Sequence, residues 1–70
     1  DIEQALYCYL EAAQEGHVGA TFNAGLILLS GEGIGEPQPE AGLSYIGRAA
    51  MAGLPLAKHM LATFLLKGEH

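Results

Sequence analysis

Tryptophan is absent from this chain of 70 residues, which holds only three bases and a single cysteine. Each shortage excludes something. With Cys8 alone, no disulfide can close within the chain, so it is not a small fold stapled by several bridges. Arg48, Lys58 and Lys67 stand against eight acids, for a formal charge of −5, which leaves no basic footprint for nucleic acid. The same acidic balance argues against an anionic membrane surface. The longest strongly apolar stretch, Ala24 to Leu29, is far too short to span a bilayer, so no membrane insertion is expected. No charged leader and no cleavage site precede the first pattern, so no targeting segment is read here. The sequence looks like a piece of something longer.

Half of the residues are apolar and few are aromatic, so the core must be built mostly from Ala, Leu and Gly. That composition suits close helix packing and does not suit a sandwich of β-branched strands. Seventy residues bound one small domain whose core is marginal by itself.

The chain is organised around Ala12 to Gly33, AAQEGHVGATFNAGLILLSGEG, and the same design returns at Ala49 to His70, AAMAGLPLAKHMLATFLLKGEH. At an offset of 37 positions, Leu6 meets Leu43, Ala12-Ala13 meet Ala49-Ala50, and Gly16 meets Gly53. Ala20 then meets Ala57, Leu28-Leu29 meet Leu65-Leu66, and Gly31-Glu32 meet Gly68-Glu69. A period in the thirties with two helical patterns and a Gly turn is the signature of an α-solenoid. The expected fold is all-α: a superhelix of two antiparallel helix-turn-helix repeats, one over about 1–37 and one over about 38–70.

Four helices follow from the punctuation. The first is expected over 2–15, with Asp1 as N-cap, Ile2, Ala5, Leu6, Cys8, Tyr9, Ala12 and Ala13 on one broad apolar face, and Gly16 as its stop. The second, from Val18 to Ser30, is apolar nearly all round and should be buried between neighbours. Gly31, Gly33 and Gly35 break the chain, and Pro37 and Pro39 keep the linker extended. A third helix runs from Pro39 to about Ala52. Gly42 and Gly47 inside it point to close helix approach, since each costs about 1 kcal/mol of propensity against Ala. Gly53 stops it, and Pro55 opens a fourth helix that reaches Lys67.

With the repeat laid out, the chain resembles the Sel1-like repeat family, a relative of the tetratricopeptide repeat. The residues carrying the resemblance are Ala5, Tyr9, Ala12, Ala13, Gly16, His17, Ala20, Gly25, Gly31, Gly33 and Ile34. The second copy keeps Tyr45, Ala49, Ala50, Gly53, Ala57, Leu61 and Gly68. The resemblance implies a non-catalytic scaffold or adaptor that holds another protein, as a peptide or helix, on a concave face.

Two surfaces are candidates. Tyr7, Glu11 and Gln14 share one side of the first helix at i, i+4, i+7, and their counterparts at the repeat offset are Ser44, Arg48 and Met51. Their chemistry differs between copies while the core positions match, as expected of a stripe that reads a partner. The second surface is the outer side of the last helix, where Met60, Leu61, Phe64 and Leu65 would form an apolar patch suited to self-association. No cofactor is expected. His17, His59 and His70 are not at metal-ligand spacing, and no metal is expected either. Cys8 reads as a small buried filler without the base a nucleophile needs, so no catalytic group is assigned. The segment Ser30 to Gly35 lacks the Lys-Ser/Thr ending of a phosphate loop and reads as a turn.

Overall fold

A computed structural model of the chain describes residues 1–67; Gly68, Glu69 and His70 lie outside the described residues, and with them the match of Gly31-Glu32 to Gly68-Glu69. Within 1–67 the chain is all-helical: α1 (Ile2–Gln14), α2 (Val18–Ser30), α3 (Pro39–Met51) and α4 (Pro55–Lys67). Consecutive helices pack on one another, most extensively α2 on α3, so the molecule is two helical hairpins joined through α2 and α3. The Cα atoms fill a slab of 34 × 27 × 14 Å, whose thickness suits two helix layers.

Local chemistry sets the helix ends. Asp1 caps α1, its Oδ1 accepting from the Gln4 amide at 2.9 Å. At the far end the His17 N–H reaches the Ala12 carbonyl at 3.1 Å, and the Gly16 N–H reaches that of Ala13 at 3.0 Å. This paired closure over a left-handed residue, Gly16 at φ 93°, is a Schellman motif. Its exact repeat offset recurs: Leu54 donates to Ala49 at 3.1 Å and Gly53 to Ala50 at 3.0 Å, with Gly53 at φ 101°. The Ala-Ala-x-x-Gly signature is therefore one hydrogen-bonded turn made twice.

The residue after each Gly starts the next helix. His17 caps α2 with its ring, Nδ1 accepting from the Ala20 amide at 3.0 Å. The hydroxyl of buried Thr21 donates to the His17 carbonyl at 3.0 Å. Helix α2 ends at Gly31, left-handed and buried, and the linker is tied back by the Gln38 N–H on the Leu28 carbonyl at 2.7 Å.

Two clusters make the core. Leu6, Ala24 and Leu28 join α1 to α2, with Tyr9, Leu10 and Tyr45 against them. Ile46, Ala49, Ala50 and Ala57 join α3 to α4, with Val18, Phe22 and Leu29 of α2 against them. Helix α2 serves both, which explains its lack of a polar face. The hairpins meet at a glycine crossing. A Cβ on Gly25 would stand 2.9 Å from the Gly42 carbonyl oxygen, and one on Gly42 would stand 2.9 Å from that of Gly25. The close approach expected at Gly42 is real. At Gly47 it is not, because nothing lies within 4 Å of where its Cβ would be.

Two further expectations are corrected. Cys8 is exposed, not a buried filler, because no helix covers the side of α1 on which it lies. On α4, Met60 and Leu61 are half-buried against the Ile46 cluster, so the outward apolar residues are Leu56, Phe64, Leu65 and Leu66 instead.

Candidate functional site

Helix α3 positions most of the candidate binding stripe. Ser44, Gly47, Arg48 and Met51 follow one another at i, i+3, i+4 and i+7, so they form a single row along its outer side. With Ala50, and with Leu61 from α4, they line one open depression. Gly47 matters here in a way its sequence context did not suggest: lacking a side chain, it leaves the middle of the row low. The signal was available, since Gly47 occupies the same helical row as the three residues singled out.

Arg48 is held in place on this row. Its guanidinium carbon lies 5.1 Å from the centroid of the Tyr45 ring one turn earlier, a cation–π contact that restrains the long side chain. Tyr45 is half-buried beside Leu6 and Leu28, so the aromatic platform belongs to the core. At the other end of the row Met51 is 90% exposed. The depression therefore has a cationic, hydrogen-bonding side at Arg48 and Ser44 and a soft apolar side at Met51 and Leu61.

Tyr7, Glu11 and Gln14 are all exposed on α1, with Tyr7 at 63%. They line up along their helix, yet none of them lines the α3–α4 depression. The structure thus brings Ser44, Arg48 and Met51 together around Leu61 and leaves the α1 stripe as a separate exposed row. A second open depression, absent from the sequence reasoning, lies beside α1 and is lined by Ile2, Ala5, Tyr9, Leu26, Ile27 and Ser30, with Glu32 at its rim.

Among the described residues no group of three His, Cys, Asp or Glu side chains converges as a metal site would require. His17 spends Nδ1 on its cap, and His59 is exposed on α4. No described helix is long and apolar enough to cross a membrane. Comparison of the chain with protein-family models, with curated proteins and with solved structures returns no match.

Proposed function

We propose that this chain is a non-catalytic protein–protein interaction scaffold, a short array of Sel1-like helical repeats that presents a concave helical face to a peptide or helix of another protein. The observation that supports it most directly is the α3–α4 depression, which Ser44, Arg48 and Met51 line together with Leu61. An exposed Met beside a restrained Arg is a combination suited to gripping an apolar side chain next to an acidic group. The Tyr7, Glu11 and Gln14 row on α1 is a separate exposed strip, so the two strips are tested separately.

The test is capture of proteins from a cell extract by the unchanged chain, by Arg48→Glu and by Tyr7→Ala, after circular dichroism has shown equal helix content. The captured protein is then titrated, purified, against all three baits. The expected result is one partner whose affinity falls by about tenfold or more for Arg48→Glu, the range of a truncated interface anchor. Equal affinity for all three baits would sink the proposed face.

A second reading is a homotypic assembly module, favoured by one observation: α4 leaves four large apolar side chains exposed, Leu56, Phe64, Leu65 and Leu66, the last at 74%.

A further inference from the structure

The internal repeat allows each exposed position to be compared with its covered counterpart. Residue n on α1 corresponds to n + 37 on α3, and α2 corresponds likewise to α4. On α1, five positions are less buried than their α3 counterparts: Gln4, Ala5, Cys8, Tyr9 and Ala12. These form one helical stripe, at i, i+1, i+4, i+5 and i+8. Their counterparts include Gly42 and Ile46, the two α3 residues that meet Gly25 of α2. On α4 the loss of cover is broader, taking in Pro55, Leu56, Leu61 and Phe64 as well, and within it Lys58, His59, Ala62, Leu65 and Leu66 form one stripe. There Ala62 and Leu66 hold the places of Gly25 and Leu29, the two α2 residues that meet Gly42. So α1 carries an uncovered copy of the face by which α3 receives α2. Helix α4 carries an uncovered copy of the face by which α2 receives α3.

Charge distinguishes the two ends. Residues 1–37 hold six acids and no Lys or Arg, whereas residues 38–70 hold two acids and all three bases. Two first hairpins would repel one another, and a first hairpin facing a second would attract. The register adds to this. In the chain, Val18 and Phe22 of α2 pack on the cluster containing Ile46, Ala49 and Ala50 of α3. The same register between copies sets Lys58 and His59 of α4 beside the half of α1 that carries Glu11 and Glu15.

We propose that the occupant of the α4 face is α1 of a second copy of this chain, docked head-to-tail in the register of the internal α2–α3 crossing, with Ala62 opposite Ala5. This inference rests on the homotypic reading and specifies it. The contact is heterologous: each copy keeps one face free after the other is used, so assembly continues past the dimer. Alanines in both glycine places hold the helices further apart than the glycine crossing does, within the ordinary range of helix separations.

The test is sedimentation velocity over a concentration series of the unchanged chain, of Cys8→Arg and of Ala62→Glu. Both substituted positions are exposed, so each variant retains the fold, and circular dichroism verifies it. Cys8→Arg places a cation where α1 would meet Leu61 and Leu65, the counterparts of Ala24 and Leu28 in the cluster on which Tyr45 packs. Ala62→Glu places a charge at the crossing itself. The unchanged chain should form species beyond the dimer, and each variant alone should associate about a hundredfold or more weakly, the effect of burying an unpaired charge. An equimolar mixture of the two variants should form a one-to-one dimer and stop, because one intact face of each kind remains. A measurement without substitutions accompanies it: alkylation of Cys8 in the unchanged chain should slow as concentration rises. A closed dimer, or Cys8→Arg that assembles like the unchanged chain, would overturn the head-to-tail register while leaving self-assembly intact. A monomer at every concentration would overturn both.

Discussion

Replacing Gly42 with Ala and replacing Gly47 with Ala should shift stability in opposite directions, although both lie in the interior of α3 and the chemical change is the same. In an open helix, Ala is favoured over Gly by about 1 kcal/mol, because Gly loses more backbone freedom on folding. Gly47 meets that condition, since a Cβ there has nothing within 4 Å. A gain of about 0.5–1 kcal/mol is expected from Gly47→Ala. At Gly42 the new Cβ would stand 2.7 Å from the Leu29 amide nitrogen, 3.0 Å from the Leu29 Cα and 2.9 Å from the Gly25 carbonyl oxygen. All three are backbone atoms of α2, so no rotamer change relieves the clash. The helices must separate, and packing at the Ile46 cluster loosens with them. Overpacking of this kind costs about 1–3 kcal/mol, and a rigid backbone wall places Gly42→Ala at the upper end. Less the propensity gain of about 1 kcal/mol, the net loss is about 2 kcal/mol.

Urea unfolding followed by far-ultraviolet circular dichroism measures both, at one protein concentration low enough to be monomeric. With a urea slope of about 1 kcal/mol/M for a small domain, a change of about 1 kcal/mol moves the urea midpoint by about 1 M, so the two variants should lie well apart on either side of the unchanged chain. The slope of the urea transition carries a second piece of information. If the glycine crossing is what couples the hairpins, Gly42→Ala should lower the slope as they begin to unfold separately. Stabilisation by Gly42→Ala equal to that by Gly47→Ala would refute the crossing.

Two further contrasts use pairs of positions in the same way. His17→Ala should cost about 1 kcal/mol by removing the acceptor of the Ala20 amide, and His17→Asn should restore most of it, again by urea unfolding. Leu28 is 7% exposed and its repeat counterpart Leu65 is 60% exposed. Leu28→Ala should cost about 2–4 kcal/mol, and Leu65→Ala less than about 1 kcal/mol in the monomer, by the same assay.

What could be read from the sequence was local. The ends of α2 at Val18 and Ser30, and of α4 at Pro55 and Lys67, follow from Gly, Pro and the apolar runs. Helices α1 and α3 each end one residue before their expected limit, because Glu15 and Ala52 sit as caps ahead of the left-handed glycine. The His17 cap could not be read, because a ring nitrogen as a cap acceptor depends on the rotamer and not on the residue type alone. Gly42 and Gly47 show the same limit more sharply: they are one residue type, five positions apart on one helix, and face a backbone wall and open space. Cys8 fits an apolar pattern and is exposed, because the pattern states what a face could bury and not whether anything arrives to bury it. The candidate binding row was legible on α3 as spacing. Its contact with Leu61 was not, since that depends on how α4 returns across α3.

The two copies of the repeat separate these levels within one molecule. The turns after Ala13 and Ala50 agree in their hydrogen bonds to within 0.1 Å, at 3.1 and 3.0 Å in each, so the local design is reproduced wherever its residues recur. Burial is not reproduced: Ile46 is fully buried and Tyr9, in the same place, only half so. The difference tracks the neighbour: α2 lies over this side of α3, while the described part of the chain puts α2 on the Leu6 side of α1 and no helix over the matching outer stripe. Residue choice follows the same division. The covered crossing carries Gly25 and Gly42, which permit backbone contact, while Ala5 and Ala62 hold those places on the uncovered faces. Two alanines keep those faces smooth enough to receive a helix and hold it further off. In the proposed head-to-tail assembly a contact made there would be looser than the one inside the chain, and would form and part while the hairpins stay folded.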